Sequence, residues 1–267
     1  MRTSDSSVLQ FIEWPGREPA AVFVHGAGFH AHCWDAVIEP LTQRCVAVNL
    51  RGHGGVSAPH MALSWRDFAA DVVHACDAAG VREAVGVGHS LGGYAVTVAA
   101  AQRPDLFRAL LLIDPVILPE AAYGAAIEAP PARRRATFAS AEEMRARLAA
   151  RPPFMRWEPR VLDDYCRFAL RPDGSLWCEP EFEVQIYAAA SAADANPYEL
   201  LRSVQIPVFV LRSGRVDEDN PFSRSPTAHD LAQHFSRAED AIDARFSHFL
   251  PMEAPQCVTE RVQMLAA

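Results

Sequence analysis

The sequence predicts an α/β protein, with a mostly parallel sheet, helices on both faces and a helical segment inserted between two strands. Three observations carry that prediction. Short runs of almost unbroken apolar residues recur along the chain, as parallel strands covered on both faces require. Stretches with helical periodicity separate them, and alternating β and α segments imply right-handed crossovers. The runs then stop from about Leu118 to Val204, where helical patches and prolines take over.

The elements follow in order. Ala20–Val24 (AAVFV) is the first strand, closed by His25-Gly26. Cys45–Leu50 (CVAVNL) is the second, closed by Arg51-Gly52-His53-Gly54. Trp65–Ala79 places Phe68, Val72, Val73 and Cys76 on one helix face. A third strand ends over Val85–Gly88, and Tyr94–Gln102 is a buried helix rich in alanine and valine. Ala109–Ile113 (ALLLI) is the fourth strand, closed by Asp114-Pro115. Helical patches at Ala141–Ala150 and Glu181–Ala190 fill the strand-free stretch, with Ala129–Arg135 the nearest approach to a linker. Ile206–Leu211 (IPVFVL) is the fifth strand, closed by Ser213-Gly214, and Pro226–Ala238 reads as a polar helical stretch. Ligands of open α/β sheets bind at the carboxyl ends of the strands. The inserted segment is therefore expected to be a lid: residues 118–204 cover a core built from 1–117 and 205–267.

Composition bounds the function. The chain has 267 residues and a net charge of −8, which argues against a nucleic-acid partner, whose phosphates demand a basic face. All 25 basic side chains are arginine, so no lysine Schiff base is possible. The six cysteines form no Cys-x-x-Cys pair, and no signal peptide or apolar run of membrane-spanning length is legible. The expectation is a reduced, cytoplasmic protein with no membrane association. Its partner is a small-molecule substrate, and its oligomeric state, monomer or homodimer, is open.

The chemistry centres on Gly88-His89-Ser90-Leu91-Gly92-Gly93, which follows a strand and opens a helix. That context marks a nucleophile elbow: Ser90 sits on a strained turn, with glycines where side chains would collide. The amide of Leu91, at the helix start, can face a developing oxyanion. The elbow topology requires serine, acid and histidine in that order, which leaves His248, His234 and His229 as bases. His248, in Phe246-Ser247-His248-Phe249-Leu250-Pro251, is favoured, because His229 and His234 fall in the polar stretch. The acid should hold the imidazole in one tautomer. Asp217, three residues past Gly214, is favoured, with Glu218, Asp219 and Asp114 as alternatives. Ala27, in His25-Gly26-Ala27-Gly28-Phe29, is the expected second oxyanion donor, with Gly28 or Phe29 possible, and His25 reads as structural. His30, His32 and Cys33 invite a metal, but zinc needs a further distant ligand that is not evident. Phe29, His30, His89 and Trp157 are expected to line the substrate site. No metal or organic cofactor is implied.

Together these motifs resemble the α/β-hydrolase fold superfamily. The resemblance rests on His25-Gly26-Ala27-Gly28 with Trp34, Arg51-Gly52-His53-Gly54, the Ser90 elbow, and His248-Phe249-Leu250-Pro251-Met252-Glu253-Ala254-Pro255. It spans about residues 20 to 260 apart from the lid, and looks like the group of small esterases, lactonases and carbon–carbon bond hydrolases. Two positions depart from that group: Asn49 stands where Asp is common, and Ser247 where Gly is common. The resemblance implies a serine hydrolase that cleaves a carboxylic ester of a small to medium apolar substrate through an acyl-enzyme. The alternatives are a carbon–carbon hydrolase of vinylogous diketones, a non-catalytic ligand-binding protein on the same fold, or cofactor-free lyase or oxygenase chemistry.

Overall fold

The sheet is built outward from a buried central strand. The computed structural model describes residues 2–3, 11–58, 62–124, 134–218 and 223–267. Within them the strands are β1 (Arg2–Thr3), β2 (Phe11–Trp14), β3 (Arg17–Val24), β4 (Gln43–Val48), β5 (Ala84–His89), β6 (Phe107–Ile113), β7 (Val208–Ser213) and β8 (Ala238–Asp243). They lie in the order β1-β2-β4-β3-β5-β6-β7-β8. β1 and β2 pair antiparallel, and every pairing from β4 to β8 is parallel. The five apolar runs correspond to β3 to β7, all of them largely buried.

Three strands fall outside the five apolar runs, although β2 (Phe-Ile-Glu-Trp) buries Phe11 and Ile12. β1 and β2 form an antiparallel edge, and β8 reads Ala-Glu-Asp-Ala-Ile-Asp with no fully buried residue. β8 also corrects the expected helix over Pro226–Ala238. That stretch holds only a 3₁₀ turn at Leu231–His234, after which the chain enters the sheet. β1 and β8, at the two ends of the sheet, pair on one side only, so backbone hydrogen bonding sets their place and no apolar run is needed.

The helices divide between the faces. α1 (Asp35–Ile38) lies on one face with the C-terminal helix. α2 (Arg66–Ala79) and α3 (Leu91–Gln102) lie on the other, where Phe68, Val72 and Cys76 join the core with nearly the whole of α3. Between β6 and β7 the described chain carries α4 (Ala141–Leu148), α5 (Pro159–Phe168), α6 (Pro180–Ala189) and α7 (Tyr198–Leu201). The short α8 (Leu250–Glu253) and α9 (Pro255–Ala266) close the chain. Of the linker-like stretch, residues 129–133 lie outside the described residues.

α4 and α5 share a second core with segments at the sheet end, while Phe182 and Ile186 of α6 join the main core. Met144 of α4 and Val161, Leu162, Tyr165 and Cys166 of α5 pack on Phe29, Cys33, Phe249 and Met252 of the sheet-end loops. Polar bonds tie the insertion to the rest of the fold at two points: the Glu158 amide donates to the Met252 carbonyl at 2.9 Å, and the Trp65 indole to the Ile186 carbonyl at 2.7 Å. All six cysteines are free thiols. No helix among the described residues is long and apolar enough to cross a membrane.

Candidate active site

β3 lies between β4 and β5, so the chain order reverses there, and the crevice at the carboxyl ends of β3 and β5 is where an open sheet binds ligands. Ser90 stands at that point, one residue past β5, with φ 55° and ψ −120°. This left-handed strain for a non-glycine residue is typical of functional turns. The glycines make the turn possible. A Cβ on Gly92 would lie 2.1 Å from the Val24 carbonyl oxygen, and one on Gly88 would lie 2.4 Å from that of Gly92.

The histidine reaches this turn from the far end of the chain. His248 Nε2 is 3.1 Å from Ser90 Oγ, and its Nδ1 is 2.6 Å from Asp114 Oδ2. These partners fix the tautomer: Nδ1–H donates to the carboxylate and Nε2 accepts from the serine hydroxyl. His248 is held through its backbone as well. Its amide donates to the Ser223 carbonyl at 2.9 Å, and its carbonyl accepts from His89 Nε2 at 2.8 Å. Burial and the nearby His248 push the pKa of His89 down to about 3, so it stays neutral and Nε2 keeps its proton.

The acid in this chain of bonds is Asp114, which corrects the expectation for Asp217. Sheet register explains why. His89 pairs with Ile113 across β5 and β6, so the next residues, Ser90 and Asp114, emerge side by side. Asp114 is fully buried with φ 45°, and it accepts bonds from the Ser213 amide and hydroxyl at 2.9 Å each and from the Ser225 hydroxyl at 2.5 Å. Burial disfavours the carboxylate, but the bonds from His248, Ser225 and the Ser213 amide outweigh it and hold the pKa below its ordinary value. Asp217 instead pairs with Arg215 at 2.7 Å. Its loop leans on the end of β8, with Gly214 donating to the Asp243 carbonyl and Arg215 to that of Phe246. Glu218 is exposed, and Asp219 lies outside the described residues.

The turn after β3 meets the elbow directly. A Cβ on Gly26 would lie 3.0 Å from Ser90 Cβ, so the turn that carries Ala27 abuts the elbow, and Leu91 opens α3 directly after the serine. His25 braces this turn: its Nδ1 donates to the Gly26 carbonyl and its Nε2 accepts from the Leu50 amide. Asn49 continues the brace, accepting from Ala31 and donating to the Gly54 carbonyl.

Sequence and structure comparisons agree with this architecture. The profile of the Alpha/beta hydrolase family matches residues 21–259. The chain belongs to that family. An esterase of Mycobacterium tuberculosis is 37% identical over 117 residues, which are 41% of this chain and 37% of the relative. A 2-(acetamidomethylene)succinate hydrolase of Mesorhizobium japonicum is 34% identical over 146 residues, 52% of this chain and 50% of the relative. The match thus spans half or less of each of these two proteins. An (E)-2-((N-methylformamido)methylene)succinate hydrolase of Acinetobacter baylyi is 24% identical, covering 98% of this chain and 95% of the relative. Among solved structures, an E-2-(acetamidomethylene)succinate hydrolase superposes with a TM-score of 0.78 at 21% identity, covering 99% of each chain.

The remaining residues expected at the site of this alpha/beta hydrolase form an aromatic group. Phe29 stacks on His89 at 6.0 Å between ring centroids and meets Trp157 at 5.7 Å, Tyr165 at 5.8 Å and Phe249 at 6.3 Å. His30 is buried and donates Nε2–H to the Tyr165 carbonyl at 3.0 Å, which ties the turn after β3 to α5. His32 faces Asp35. No group of three or more His, Cys, Asp or Glu among the described residues could hold a metal ion.

The sequence reading missed one buried network. Glu253 accepts from the Ser247 amide at 3.0 Å, from the Ser247 hydroxyl at 2.7 Å and from Arg156 Nε at 3.1 Å. Ser247 at the usual glycine position was the visible clue. Its hydroxyl gives the loop before His248 a polar anchor that glycine lacks.

Proposed function

We propose that the protein is a serine hydrolase that cleaves a carboxylic ester, or a related acyl bond, of a small to medium apolar substrate through an acyl-enzyme. The observation that carries this reading is the hydrogen-bonded chain Ser90–His248–Asp114 on a strained elbow. His248 Nε2 takes the hydroxyl proton as Ser90 Oγ attacks the carbonyl carbon. Asp114, held ionised, orients the imidazole and stabilises it once it is protonated. The amides of Ala27 and Leu91 receive the oxyanion. His248 then protonates the departing alcohol, and the same residue activates the water that releases the acid and frees Ser90. The rings of Phe29, Trp157 and Phe249, the last 5.6 Å from the His248 ring, favour an apolar acyl or aryl group.

A second reading draws support from the relatives named as succinate hydrolases. In it the same three residues cleave a substituted unsaturated dicarboxylate.

Covalent labelling with a fluorophosphonate, read by intact mass, tests the proposal. One adduct is expected on the wild type and none on Ser90→Ala. Absence of an adduct on folded wild type overturns the assignment of an activated serine. An ester panel then separates the two readings: apolar esters turn over faster in the first, and anionic substrates in the second.

A further inference from the structure

Among the contacts that hold the inserted helices to the sheet, one leads straight to the histidine loop. Arg156 closes the 3₁₀ turn Phe154–Arg156 ahead of α5. Its guanidinium reaches Glu253, 3.1 Å from Nε to Oε1 and 3.4 Å from an Nη to Oε2. The Glu253 side chain is only 2% exposed, and among the described residues Arg156 is its cationic partner. The same carboxylate takes both donors of Ser247, and the Ser247 hydroxyl in turn accepts from the Phe249 amide at 3.3 Å. The residues on both sides of His248 are therefore tied to one buried carboxylate. The same Nη of Arg156 also donates to the Arg245 carbonyl at 3.3 Å, which anchors the arginine to the start of the same loop.

We infer that Arg156 is a positioning residue through which docking of the inserted helices sets the histidine loop, so that the insertion controls activation of Ser90 as well as access to it. This rests on the reading of Ser90 and His248 as nucleophile and base. The physical reason is the asymmetry of buried ion pairs. Removing one partner strands the other charge in a poorly solvated place, and the structure around it must rearrange. Here the stranded carboxylate is the one that fixes Ser247 and, through it, Phe249. A nearby bridge serves as contrast. Arg160 of α5 also reaches the sheet side, bonding Glu39, but both side chains are more than half exposed and neither contacts the histidine loop. An exposed pair of that kind contributes little.

The test compares Arg156→Met, Arg156→Lys and Arg160→Met in the full-length protein, with two readouts. The first is the nuclear magnetic resonance signal of the His248 Nδ1 proton held by Asp114, assigned by its loss in Asp114→Asn. The second is the rate of fluorophosphonate labelling at Ser90. Arg156→Met is expected to broaden or shift the proton signal and slow labelling roughly tenfold, because a buried carboxylate has lost its partner. Arg156→Lys is expected to recover most of both. Arg160→Met should stay within about twofold of wild type in labelling, as for an exposed ion pair. An unchanged signal and rate in Arg156→Met overturns the inference, and so does an equal loss in Arg160→Met, which would make general docking the cause. If wild type carries the proton signal but takes no label, the hydrolase reading fails, and the response of the signal still decides the role of Arg156. Should Arg156→Met not fold, Ser247→Ala cuts the link while leaving the ion pair intact. The same signal must then move, or the inference is wrong.

Discussion

The loops after β6 and β7 leave the same edge of the sheet, and both carry a carboxylate that chain order allows as the histidine's partner. After β6 the carboxylate comes at once: Asp114 is one step past Ile113, fully buried, and three donors besides His248 converge on it. After β7 the first residue past the strand is Gly214, and Asp217 appears three residues later against Arg215. The β7 loop still serves the site, because Ser213 at its root gives both its donors to Asp114. The difference teaches that an acid is defined by its solvation as much as by its place in the chain. A carboxylate next to an arginine on a partly exposed loop has its charge spent. One fed by hydroxyls and an amide stays ionised and can still turn an oxygen toward an imidazole.

Four measurements can break or sharpen this comparison. Asp114→Asn should lower kcat/KM by roughly a thousandfold or more, since the amide cannot hold the working tautomer. A loss under tenfold would return the role to the β7 loop. Ser225→Ala removes one of the bonds to the carboxylate, and turnover should fall about three- to tenfold, in proportion to the net worth of about 1 kcal/mol of one ordinary hydrogen bond. Asp217→Asn should stay within about twofold of wild type in the same assay, because it breaks only a partly exposed pair with Arg215. The smallest effect is thermal. Asp114 has a depressed folded pKa, so its ionisation stabilises the fold above the ordinary carboxyl range, and this is lost as pH falls through the folded value. The difference in Tm between wild type and Asp114→Asn should therefore be constant near neutrality and shrink below about pH 4. A gap that widens on acidification would contradict the sign.

Much of this was legible in the sequence, for reasons that differ by residue. β3 to β7 announce themselves because strands covered on both faces must be apolar throughout. β8 does not, because its place comes from backbone pairing with β7 and its side chains are wet. Ser90 is readable because its turn demands glycines at fixed offsets, and the position of His248 follows from its order in the chain. The choice between Asp114 and Asp217 is not readable in that way. It depends on strand register and on which serines fold back over the carboxylate, and Ser213 and Ser225 lie some hundred positions downstream. Arg156 and Glu253 are hidden for the same reason: they are 97 residues apart and meet only in the folded chain.

The order of the parts along the chain has a consequence for how such a protein can change over generations. Ser90 and Asp114 both precede the inserted helices, on adjacent strands locked by register, and His248 follows them. Lengthening, shortening or exchanging the insertion leaves Ser90 and Asp114 in place and puts only the arrival of His248 at risk. Under the reading proposed above, the inserted segment can thus be rewritten widely, provided each new version still offers a cation where Arg156 now stands.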